Sequence, residues 1–113
     1  MRKIGGNTKA ILQTFTEGVK NAIGERPKNW SDVLTLTGWL DLSGGSAGYT
    51  AFAAKVQEST HIFLCDYVPL PEGIKAENSR LVVNGKVYDI TLIDDPMGMH
   101  AHYEIYLKYT GGV

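Results

Sequence analysis

At 113 residues the chain suffices for one domain with one core, because a domain of this size buries only about two thirds of its unfolded surface. The formal net charge is −1 and the pI is near 6.3, so there is no basic excess to hold a polyanion by counterion release. A single cysteine, Cys65, excludes an internal disulfide, and no apolar stretch approaches the ~20 residues of a membrane-spanning helix.

Met1, Arg2 and Lys3 lead into Gly5 and Gly6 without an apolar run, so no signal peptide is visible and the expectation is a soluble protein made inside the cell. Residues 1–8 read as a flexible N-terminal arm and residues 9–113 as a single domain. Residues 9–19 fit two patterns. Ile11, Phe15 and Val19 stand four apart, with Ile23 continuing the series, as on a helix. Gln13, Thr14, Thr16 and Gly18 suit a strand that ends in a turn; periodicity leaves both open, with a lean to strand. Residues 21–31 are polar, include Gly24 and Pro27, and read as an exposed connector.

Residues 33–42 predict a half-buried strand: Leu34, Leu36, Gly38, Leu40 and Leu42 share one face, and Thr35, Thr37, Trp39 and Asp41 the other. Ser43, Gly44 and Gly45 end it. In residues 47–59 the period changes, with Tyr49, Phe52, Ala53 and Val56 at i, i+3, i+4 and i+7, which predicts a short amphipathic helix capped by Ser46. Residues 60–68 are apolar on both faces and predict a central strand, and residues 69–78, with Pro71 and Gly73, a loop. Residues 79–109 hold two hairpins in series. Asn84-Gly85 is the strongest short-range hairpin signal, because both central residues of a type I′ turn need positive φ. The strand from Lys86 to Ile93 breaks at Asp94, Asp95 and Pro96. The last strand alternates, with Tyr103, Ile105, Leu107 and Tyr109 opposite Glu104, Tyr106 and Lys108. The sum is a mainly β chain: a small antiparallel β-barrel or sandwich-like meander with one short helix in a long loop.

Chemistry is sparse. His61, His100 and His102 form a conceivable zinc set only if their segments converge, and no acidic or cysteine ligand completes it in sequence. Cys65 and His61 stand four apart on a strand, more than about 12 Å, which leaves Cys65 a small buried residue rather than a nucleophile. Asp94 and Asp95 are adjacent and precede a proline, a turn pattern in which the carboxylates diverge. Gly44-Gly45 lacks the spacing and the following Lys of a phosphate loop. No catalytic residue, metal, cofactor, small-molecule substrate or membrane contact is therefore expected, and the chain is not read as an enzyme. The tyrosines of the C-terminal strands have no interleaved basic residues beyond Lys86 and Lys108, which favours core packing over base stacking.

Several stretches together carry a resemblance: Trp30-Ser-Asp-Val, GWLDLSGGS, AGYTAFAAKVQES, THIFLCDYV and LVVNGKVYDITLIDDPMGMHAHYEIYLKYTGG. From about Lys9 onward the chain resembles tailed-phage head-closure proteins, also called head-tail connector or adaptor proteins. The resemblance implies a small barrel-like domain that forms a ring of copies, twelvefold in expectation, under the portal complex. Such a ring closes the filled head and docks the tail. Implied partners are further copies of the chain, portal or adaptor proteins and tail proteins, with DNA passing without sequence-specific binding. Implied locations are the virion neck and, during assembly, the host cytoplasm. Under this reading Ser43, Gly44, Gly45, Tyr49, Phe52, Met97, Met99, His100 and His102 belong to assembly or docking loops. The alternatives are a tail-completion protein of the same neck and a small OB-like barrel that binds single-stranded nucleic acid through Tyr103 and Tyr106.

Overall fold

Asn84 and Gly85 take φ of 52° and 77°, both positive as a type I′ turn demands, and fix the register of the hairpin they join. The computed structural model describes residues 3–42 and 59–112. Its strands are β1 (Thr8–Glu17), β2 (Lys28–Leu42), β3 (His61–Asp66), β4 (Ser79–Val83), β5 (Lys86–Asp94) and β6 (His102–Gly112). All neighbours are antiparallel, and the sheet closes on itself in the order β1, β2, β3, β6, β5, β4. It is thus two three-stranded meanders, sealed by the β3–β6 and β1–β4 pairs. The only helical pieces among the described residues are 3-10 turns at Ala76–Asn78 and Pro96–Gly98. The helix expected over residues 47–59 lies outside the described residues except for its last member, Ser59, which is buried and belongs to no regular element.

The core fills the inside of the closed sheet. Leu12, Phe63, Cys65, Leu81, Val83, Ile105 and Leu107 are almost wholly buried, and Ala10, Leu36, Tyr88, Ile90 and Tyr103 complete the cluster. Each large apolar side chain there contributes roughly 1.5–3 kcal/mol by leaving water. Tyr67, Val68, Leu70, Ile74 and Ala76, on the connection from β3 to β4, pack onto this core, and the Tyr103 hydroxyl donates to the Val68 carbonyl at 2.8 Å. The connection therefore covers one mouth of the sheet.

Of three readings, the lean to strand over residues 9–19 holds and the other two need correcting. Residues 9–19, open between helix and strand, form β1 up to Glu17. The connector expected over residues 21–31 is shorter, because β2 already begins at Lys28; Trp30 packs edge-on to Phe15 of β1 at 5.1 Å, which extends the ribbon beyond the apolar pattern. A register shift between Leu12 and Gln13 leaves Val33 as an extra residue on β2, and it packs against the core. The third reading concerns the arm. Asp66 accepts hydrogen bonds from the Ile4 and Gly5 amides at 2.8 and 3.1 Å, the Trp39 indole donates to the Ile4 carbonyl at 3.0 Å, and the Asn7 amide donates to Gly38. Residues 4–7, read from the sequence as part of a flexible arm, are strapped across β2.

Candidate docking surface

β1 and β5 run in the same direction, since each is antiparallel to β4. The β1–β2 hairpin, the β3–β4 connection and the β5–β6 loop consequently share one end of the sheet. Four of the most exposed large hydrophobic side chains stand on two of these loops: Val19 at 87%, Ile23 at 77%, Met97 at 92% and Met99 at 61%.

Both loops are tied down from within. In the hairpin, the Asn21 carboxamide oxygen accepts from the Ile23 and Glu25 amides at 3.1 and 3.0 Å, and the Asn21 backbone exchanges hydrogen bonds with Gly24 and Glu25. In the β5–β6 loop the organiser is Asp95. One carboxylate oxygen accepts from the His100 amide at 2.9 Å, the other pairs with His100 Nδ1, and the Asp95 carbonyl accepts from Gly98 at 2.8 Å. The His100 ring lies on Tyr67 at 4.5 Å. These contacts hold Met97 and His100 at φ of 56° and 55°, a left-handed conformation that costs an L-residue about 1–2 kcal/mol. His102 belongs to the start of β6 rather than to the loop, with Nε2 at 3.3 Å from Glu104.

The register separates the other sequence candidates. On the β3–β6 pair His61 stands opposite Leu107 and His102 opposite Asp66, five positions apart, or about 16 Å at the rise of a strand. His61 packs edge-on to Tyr88 at 5.1 Å, and Thr60 Oγ1 lies 2.8 Å from its Nδ1. Among the described residues no three His, Cys, Asp or Glu side chains are grouped as a metal would need. Cys65 is buried, and burial together with Asp66 pushes its thiol up to about 12, so the nucleophilic thiolate is not populated near neutral pH. Asp94 and Asp95 diverge: Asp95 turns to His100, while Asp94 stands on β5 opposite Glu104. Burial, then Glu104 and Asp95, raise the Asp94 carboxyl, and His102 partly offsets them. Ser43, Gly44, Gly45, Tyr49 and Phe52 lie outside the described residues.

Tyr103 and Tyr106 are buried, and their hydroxyls donate to the Val68 carbonyl and Glu104. Neither offers an open face to a base. A different aromatic set, not visible in sequence, lies at the base of the hairpin. Lys28 Nζ sits 4.4 Å over Phe15, Phe15 meets Trp30, and the Arg80 guanidinium lies 4.0 Å over Trp30 while Nε donates to Gln13. Beside it is a groove of about 210 Å³ bordered by Glu77, Ser79, Asp89 and Ile90. The residues of this set and its groove come from β1, β2, β4, β5 and the 3-10 turn at Ala76–Asn78, so only the fold brings them together.

No family model matches the chain, and no curated protein matches it. No helix among the described residues is long and apolar enough to cross a membrane.

Proposed function

We propose that the protein is a head-closure or head-tail connector component of a phage or prophage neck. In this reading copies assemble as a ring under the portal complex, seal the DNA-filled head and dock the tail. The observation that carries it is the pair of internally tied, apolar-tipped loops at one end of the sheet. Val19, Ile23, Met97 and Met99 add almost nothing to the core of their own chain, yet the backbone that presents them is already ordered. A docking loop ordered in advance loses less entropy on binding, and methionine side chains adapt to irregular partners. The motif resemblance supports the same reading, and a net charge of −1 suits a passage through which DNA slides without adhering.

The test is sedimentation velocity and negative-stain microscopy of the full chain, alone and mixed with any portal and tail proteins that its source genome encodes. Rings, or stable complexes with those proteins, are expected. A chain that stays monomeric in every mixture sinks the reading.

A second reading, single-stranded nucleic acid binding, has one observation in its favour: the cations on Phe15 and Trp30. Asp89 and Glu77 beside them weigh against it. Oligonucleotide titration at low salt, followed by tryptophan fluorescence, separates the two. Binding that is lost in Trp30→Ala and Arg80→Ala would favour the second reading, and no binding removes it.

A further inference from the structure

β2 is longer than its neighbours, and one of its edges is bare. β3 pairs with it only from Gly38 to Leu42, so over residues 28–37 β1 is its one partner among the described strands. The Gly18 amide donates to the Pro27 carbonyl at 2.8 Å, and bonded and non-bonded pairs alternate along an antiparallel ladder. Thr16 with Asn29 and Thr14 with Ser31 are therefore bonded pairs, while Glu17 with Lys28, Phe15 with Trp30 and Gln13 with Asp32 are not. The main-chain amides and carbonyls of Lys28, Trp30 and Asp32 consequently point away from β1, and among the described residues nothing hydrogen-bonds to them. A row of this kind is a template for another strand.

The side chains on this edge decide which strand fits. Lys28, Trp30 and Asp32 share one face of β2, where Lys28 Nζ lies over Phe15, Phe15 meets Trp30, and Asp32 accepts from Gln13 at 2.8 Å. Lys28 and Asp32 are exposed, and among the described residues neither has an ion-pair partner. Along the edge the order is cation, aromatic ring, anion, and its antiparallel complement is that same order. A second β2 laid antiparallel with Trp30 on Trp30 sets Lys28 of each copy opposite Asp32 of the other. All three pairs then fall at bonded positions, and each exchanges two main-chain hydrogen bonds. Other registers are worse: centring the pair on Lys28 or on Asp32 sets like charge against like. We propose that the outer edge of β2 at Lys28, Trp30 and Asp32 is an interface between two copies of this chain, joined two-fold by antiparallel pairing of β2 with β2. The contact is isologous, closes with two copies, and is separate from the ring contacts proposed above.

The test is amide hydrogen exchange of the full chain, read residue by residue over a concentration series, with sedimentation equilibrium on the same samples. Exchange at Lys28, Trp30 and Asp32 is expected to slow at least tenfold as dimer replaces monomer, while Asn29 and Ser31, already bonded to β1, change less. A dimer whose newly protected amides lie elsewhere, or a chain that stays monomeric up to millimolar concentration, overturns the proposal. Two variants test the register. Lys28→Glu sets carboxylate against carboxylate and is expected to weaken the dimer at least tenfold. Adding Asp32→Lys restores opposite charges in exchanged order and is expected to return the dimer to near wild-type strength. Equal strength in all three forms, or no recovery in the double variant, overturns it. Rings or portal complexes formed by a chain that shows no such dimer overturn this contact and leave the ring reading standing. The dimer without rings in any mixture does the reverse.

Discussion

The two hairpins of the C-terminal half solve the same problem in different ways. β4 and β5 are joined by Asn84-Gly85, the shortest connection an antiparallel pair allows, with positive φ placed on residue types that tolerate it. β5 and β6 are joined by residues 95–101, where positive φ falls on Met97 and His100 as well as on Gly98. The first turn does no more than reverse the chain. The second stores strain, binds it with Asp95 and Tyr67, and shows two methionines to solvent. Strain held in place by surrounding bonds gathers where a loop has a task beyond connection.

If that contrast is right, the short turn should matter to global stability and the long loop to its own order. The largest effect is expected from Gly85→Val. A β-branched side chain at φ 77° should lower the unfolding free energy by about 2–3 kcal/mol in urea titration, because no relaxed alternative preserves the two-residue turn. A loss below about 0.5 kcal/mol would mean the register is set elsewhere.

How far this was legible in the sequence differs between the same two hairpins. Asn84-Gly85 announces its own geometry, and the alternation of Tyr103, Ile105 and Leu107 marks a face of β6 that is buried, although Tyr106 on the opposite face is buried too. Nothing in Met97 or His100 announces a left-handed backbone; that conformation is imposed by Asp95, whose role is visible only once His100 is seen to fold back on it. The onset of β2 was hidden because Lys28, Asn29, Ser31 and Asp32 face water on a ribbon that projects past the closed sheet. The pairs that close the sheet, β1 with β4 and β3 with β6, join residues far apart in the chain and leave no local mark. For the same reason residues 4–7 look loose in sequence, since their anchor, Asp66, lies about sixty residues away.

Asp95→Ala should sharpen the contrast from the other side. Loss of the bonds to His100 is expected to lower global stability by only about 1 kcal/mol, because the loop is exposed, while amide exchange at residues 98–100 rises and that around Asn84 stays unchanged. Equal acceleration in both turns would merge them into one cooperative unit and remove the distinction. Met97→Gly is expected to go the other way. Relief of the left-handed strain, about 1–2 kcal/mol, outweighs the extra freedom that glycine has when unfolded and leaves a gain of about 0.5–1 kcal/mol. The docking reading adds that this more stable variant should bind its partners more weakly, having lost a side chain that is 92% exposed.

The smallest effect concerns Asp94, the last residue before the long loop. It stands directly opposite Glu104, and like charges so placed are destabilising. Burial, Glu104 and Asp95 raise its carboxyl above the ordinary value of 3.8 in the folded chain, with His102 opposing. Between that ordinary value and the raised one, the folded state binds more protons than the unfolded state, so stability falls as pH rises through the interval. Above it the penalty is fully present, and below the ordinary value it vanishes. Asp94→Asn is therefore expected to raise the melting temperature at pH 7 by an amount corresponding to about a few tenths of a kcal/mol, small because water screens the pair. The gain should shrink to nothing toward pH 3. A gain of equal size at both pH values would assign it to packing rather than to charge. A loss at pH 7 would show that His102, rather than Glu104, governs the exit from β5.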